Sequence, residues 1–146
     1  MFTSIEFPDA YRISYLASAI VIPTYEEIRR EFGIVRAEYL LLGCLAHYEQ
    51  LSAQDVARLT RRPRNSISRA VHRLLDDGYL DRSPDPDDGR QANLTITPAG
   101  RELHDKIAAL FVQREAEILE PLSATQRRQL DSILGDLSHH AAALPR

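Results

Sequence analysis

The chain of 146 residues has one cysteine, no tryptophan and only six glycines. A single thiol, Cys44, excludes an internal disulfide and fits a reducing cytoplasm. Sparse glycine argues against a glycine-rich nucleotide-binding fold. Every apolar run is broken by a charge well short of about 18 residues, so no membrane-spanning helix is expected. The start, MFTSIEFPDAYR, lacks a basic segment followed by an apolar run and does not read as a secretory signal. No H-E-x-x-H or C-x-x-C spacing favours a zinc site. No glycine-rich phosphate loop and no G-x-S-x-G turn is found. The expectation is therefore neither a metal, nor another cofactor, nor an enzyme.

Hydrophobic residues make up 44% and charged residues 27%, the balance of a soluble globular protein able to build its own core. Length points to one domain, 1–146, or to a small domain that pairs with a copy of itself. The net charge of −3 hides an asymmetry. From Arg58 to Arg73 there are six arginines and no acid, a local +6 that leaves −9 on the other 130 residues. Such a patch on an acidic body suits a nucleic-acid footprint, although a solvated basic helix face has the same composition.

The periodicities predict mostly helices. Asp9 is the expected cap of a first helix, DAYRISYLASAIVI, which Pro23 should kink or interrupt before TYEEIRREF ends at Gly33. A second helix over RAEYLLLGCLAHYE is apolar on most sides, and no polar cap precedes it. Ser52 and Asp55 form a capping box for the short helix SAQDVARLT. After RRP, the helix RNSISRAVHRLLDDG buries Ile67, Ala70, Val71, Leu74 and Leu75 along one stripe. YLDRS and QANLTIT then read as strands joined by the turn-rich tip PDPDDGR. Thr97-Pro98 starts a long amphipathic helix, Pro121 breaks it, and Ser123 with Gln126 caps a last helix.

A short helix, a tight turn and a second helix make a helix-turn-helix, whose second helix offers its N-terminal residues to the DNA major groove. Here those residues are Arg64, Asn65, Ser66, Ser68, Arg69 and His72. The stretch from Leu51 to Gly100, LSAQDVARLTRRPRNSISRAVHRLLDDGYLDRSPDPDDGRQANLTITPAG, resembles the MarR (multiple-antibiotic-resistance regulator) family of winged-helix transcription factors. SRAVHRLLDDGYLDRS resembles that family's recognition helix running into its wing; DPDDGR and LTITPAG resemble the wing tip and return strand. The resemblance implies a mainly α fold with a small β-hairpin. A winged helix-turn-helix lobe would span 34–100, flanked by dimerisation helices at 5–32 and 101–142. It implies a cytoplasmic homodimer on double-stranded DNA at an inverted-repeat operator, acting as a repressor released by a small aromatic acid or a related conjugate. Arg90 would be the wing arginine that enters the minor groove, with Asp88 orienting it. Arg61, Arg62, Arg64 and Arg73 are expected to meet phosphates rather than read bases.

For the effector, Tyr11, Arg12 and Tyr15 on the first helix and Tyr39 and His47 on the second offer aromatic walls and a cation. Two alternatives stand beside this reading: a redox-switched repressor using Cys44, and a winged-helix module that binds protein. The apolar setting LLLGCLAHY opposes the first, and the acid-free 58–73 window opposes the second.

Overall fold

A computed structural model describes residues 6–145, so the expected helical segment 5–32 is described from residue 6. Six helices and one hairpin follow in the order α1 (Pro8–Phe32), α2 (Arg36–His47), α3 (Ala53–Thr60), α4 (Arg64–Asp76), β1 (Leu80–Pro84), β2 (Ala92–Ile96), α5 (Pro98–Leu119) and α6 (Ala124–Ala143). The chain divides into two compact units, the first ending at Val112 and the second starting at Gln113.

Local signals account for most boundaries. Ser52 Oγ accepts the Asp55 N–H at 3.1 Å, while Asp55 Oδ2 accepts the Ser52 N–H at 3.1 Å. Ser123 and Gln126 repeat that reciprocal pair at the start of α6. Thr97 Oγ1 accepts from the Gly100 N–H at 3.0 Å and donates to the Gly78 carbonyl at 2.8 Å. The Thr97 N–H also meets the Tyr79 carbonyl at 3.1 Å, so the two ends of the hairpin are fastened together at its base. Gly100 is required there, because an added Cβ would run into the Tyr79 carbonyl oxygen.

Two local expectations are corrected. Asp9 does not cap α1; the helix begins at Pro8 after Phe7, and Asp9 lies in its first turn, where a carboxylate suits the helix dipole. Pro23 does not interrupt α1, which runs unbroken to a left-handed Gly33. Proline costs the helix one backbone bond, but the next residue, Thr24, is buried and donates its hydroxyl to the Ile20 carbonyl at 2.6 Å. Burial of Thr24 and Ile28 holds the segment helical on the far side of the proline. The missing polar cap before α2 is replaced from inside the helix: Glu38 reaches back to accept the Val35 N–H at 3.0 Å.

The core of the first unit is built from α1, α2, α3, α4, the hairpin and the first turns of α5. Leu41 and Leu42 of α2, Val56 of α3, Ile67 and Leu74 of α4, Leu94 of β2 and Ile107 of α5 are fully enclosed. The α4 stripe lies as expected, with Leu75 only partly buried, whereas Leu59 of α3 faces outward. β1 and β2 pair antiparallel with Leu80 opposite Ile96 and Arg82 opposite Leu94. Leu51 pairs with Leu94 on the other edge of β2, tying the hairpin to the α2–α3 junction. In the second unit, α6 buries no residue. Among the described residues, no helix is long and apolar enough to cross a membrane, and no group of histidine, cysteine or carboxylate side chains could hold a metal ion.

Candidate nucleic-acid interface

Helical geometry, about 100° per residue, sorts α4 into three sides. Ile67, Ala70, Val71 and Leu74 face the core. Opposite them, Asn65, Arg69 and His72 form an exposed ridge. Asn65 Oδ1 accepts the Ser66 N–H at 2.8 Å, which fixes the amide at the helix start; Ser66 itself is half-buried. No side chain caps α4, whose N-cap position is Pro63, so its positive dipole end is open.

Between these sides, Arg64, Ser68 and His72 flank a crevice of about 190 Å³ shared with the hairpin. Arg82 of β1 and Arg90 of the tip line its other wall. Arg82 was missed by the sequence reading, because it stands before the tip, next to Asp81, and outside the arginine cluster. The strand's alternation was its signal: Leu80 is buried and Arg82, two residues on, continues the same row past the edge of the core.

The six clustered arginines do not act together. Arg58 pairs with Asp55 at 3.0 Å. Arg73 turns toward α2, donating to the Gly33 carbonyl at 2.6 Å and pairing with the buried Glu38 at 3.2 Å and with Asp77 at 3.9 Å. Its guanidinium is thus not held at the exposed ridge, contrary to its expected phosphate role. Arg62 is half-buried; its Nε is enclosed without a hydrogen-bond partner and its charge acts on Tyr25. Arg61 ends α3 in the left-handed conformation, φ 54°, a strained position for a side-chain-bearing residue at the turn before α4. In the wing tip, Asp88 accepts the backbone N–H of Arg90 at 3.1 Å. Asp88 therefore shapes the turn, and no ion pair joins it to the Arg90 guanidinium among the described residues.

A second concavity, an open cleft of about 830 Å³, lies at α2 and is lined by Tyr39, Cys44, His47, Leu59 and His104. Tyr39 stacks on His104 at 5.6 Å and on Phe111 at 5.3 Å, and His47 stands edge-on to His104 at 6.1 Å. His47 donates from Nδ1 to the Gly43 carbonyl at 2.7 Å, which leaves Nε2 for another partner. Burial raises the Tyr39 phenol and the Cys44 thiol above their ordinary ranges. Tyr11, Arg12 and Tyr15 do not line this cleft. They sit in the first turns of α1, where Arg12 pairs with Asp9 at 3.3 Å. His104 was missed because it lies on the helix after the wing, far in sequence from Tyr39 and His47.

Residues 32–91, which include α2, α3, α4 and most of the wing, match the model of the MarR family. The chain is 30% identical over 86 residues to the HTH-type transcriptional regulator BilQ of Clostridium symbiosum, an alignment covering 59% of this chain and 60% of that protein. It is 25% identical over 123 residues to the HTH-type transcriptional repressor Rv2887 of Mycobacterium tuberculosis, covering 84% of this chain and 88% of that one. The fold superposes on the Staphylococcus aureus MepR–DNA complex with a TM-score of 0.76 at 21% identity, covering 92% of this chain and 99% of that chain. These proteins are regulators rather than enzymes. With a helix-turn-helix fastened to a two-stranded wing, and the family model matched from before α2 to the wing tip, the chain is similar to the MarR family of winged-helix transcriptional regulators.

Proposed function

We propose that the protein is a homodimeric repressor that binds an inverted-repeat operator and is released by a small aromatic acid. In this reading 34–100 is the DNA-binding lobe, and 5–32 and 101–142 are the dimerisation helices. The observation that carries DNA binding is the exposed α4 ridge beside the arginine-lined crevice. Asn65, Arg69 and His72 read base edges in the major groove, where bidentate arginine–guanine and asparagine–adenine pairs are available. Arg90 enters the minor groove, and Arg61 and Arg64 meet phosphates. The repressor named among the relatives and the DNA-bound structural neighbour support this direction.

The effector site favoured by geometry is the α2 cleft, with Tyr39 and His47 joined by His104 rather than by Arg12. Its aromatic walls suit a planar ring and its histidines a carboxylate. A ligand there shifts DNA affinity only by its different affinity for the two forms of the protein, about 1–3 kcal/mol in comparable switches. Neither alternative gains an observation: the Cys44 thiol is half-buried and raised by burial, which opposes the redox reading.

The test is titration of the protein against duplexes from its own upstream region. Binding should be dimeric, on half-sites about 10–10.5 base pairs apart. Arg69→Ala should relax base preference by about 1–3 kcal/mol per lost bidentate contact, and Arg90→Ala should weaken binding most at A·T-rich flanks. Salt-insensitive binding, or none to any upstream fragment, overturns the reading.

A further inference from the structure

Arg64, Arg82 and Arg90 come from three different elements: the first turn of α4, the middle of β1 and the wing tip. All three are exposed, and all line one crevice. None takes part in an ion pair among the described residues, whereas Arg58 and Arg73 are both neutralised by carboxylates. The wing carries Asp81, Asp85, Asp87 and Asp88, yet no acid lines the crevice. Strand alternation explains the separation: Asp81 and Ser83 point to one face of β1, while Leu80 and Arg82 share the other. Asp85 and Asp88 accept the backbone N–H groups of Asp87 and Arg90, which holds them in the turn of the tip. Three arginines that join no ion pair among the described residues thus line one concave crevice together with Ser68 and His72.

Major and minor grooves are neighbours separated by one sugar–phosphate strand. A helix in the first and a wing in the second must straddle that strand. In that geometry the space between α4 and the hairpin would face its phosphates.

We propose that this crevice is a phosphate cradle for the straddled strand and that Arg82 is its central grip, a DNA contact on the wing's first strand distinct from the base-reading ridge. Arg64 closes the cradle on the helix side and Arg90 at the minor-groove end. The proposal rests on the DNA-binding reading, and the experiment separates the two.

Affinity is measured as a function of salt for the full-length protein and for Arg82→Gln, Arg82→Lys and Lys106→Gln, on operator and on unrelated duplex. One phosphate contact contributes about 0.9 to the slope of log affinity against log salt. Arg82→Gln should lower the slope by that amount, so its deficit against wild type narrows about 3.5-fold between roughly 50 and 200 mM salt. The deficit should be equal on operator and unrelated duplex, since phosphates carry no sequence. Arg82→Lys keeps the charge and should keep the slope, which excludes a mere loss of hairpin structure. Lys106→Gln removes the same charge from α5, where it pairs with Glu102 at 2.9 Å, and should change nothing. An unchanged slope in Arg82→Gln, or a deficit confined to the operator, overturns the cradle and leaves the DNA-binding reading standing. A wild-type protein that binds no duplex overturns both.

Discussion

Tyr25 of α1 sits where three aromatic side chains and two cations meet. Its ring contacts Tyr39 and Phe111 edge-on, and the Arg36 guanidinium lies 5.8 Å from its centroid. Burial pushes its phenol up to about 12, against the pull of Arg36 and Arg62. A raised native pKa means the fold binds that proton more tightly than the unfolded chain does. The associated stability is fully present below the ordinary value of 10.0 and is lost as pH climbs through about 12. Thermal midpoints measured from pH 9 to pH 12 should therefore fall steeply in the wild type. The decline should be shallower in Tyr25→Phe, with the remainder owed to Tyr39, which burial also raises. Identical profiles would mean that the Tyr25 phenol ionises as freely as in the unfolded chain.

At the scale of elements, the recognition helix is held to α2 by a polar clasp. Arg73 of α4 spans the Gly33 carbonyl and the Glu38 carboxylate, and Glu38 is only 4% exposed on its side chain. Deleting the cation strands a buried carboxylate. Arg73→Ala should thus cost about 1–3 kcal/mol in stability. It should also weaken DNA binding by the same factor at every salt concentration, because α4 loses its bearing on α2. Glu38→Gln should reproduce both effects more mildly. A salt slope reduced by about 0.9 would instead make Arg73 a phosphate contact, as the sequence alone suggested. The same clasp shows what was legible in the chain and what was not. Ser52, Thr97 and Ser123 were readable as caps because their partners lie three residues away. The fate of Arg73 depends on Glu38, which sequence distance conceals, and that of Arg82 depends on a strand face that a charge count ignores. Pro23 misled because its helix-breaking cost is local, whereas the burial that offsets it is tertiary.

At the scale of the molecule, two helices each carry exposed apolar side chains among the described residues. On α1, Ile13 and Leu16 are about half exposed, and on α6 so are Ile133, Leu134 and Leu137. The α6 residues recur at the spacing of one helix stripe, and that helix buries nothing of its own. Soluble monomers rarely leave such stripes open, which favours a second copy as the cover. A double substitution, Leu134→Asp with Leu137→Asp, should convert a dimer into a monomer in sedimentation equilibrium. It should also reduce operator binding to that of a single half-site. A variant that stays dimeric would place the interface elsewhere.

The stitching of Thr97 to Gly78 and Tyr79 makes the wing a closed lasso. Its knot lies at the body of the protein, and its noose, from Pro84 to Ala92, is exposed apart from Asp85 and Ala92. Insertions, deletions or charge changes in the noose leave the knot tied, because the bonds that close it are made by Thr97, Gly78 and Tyr79. Over generations, the sequence of the noose and the stability of the lobe can therefore drift independently, each at its own pace.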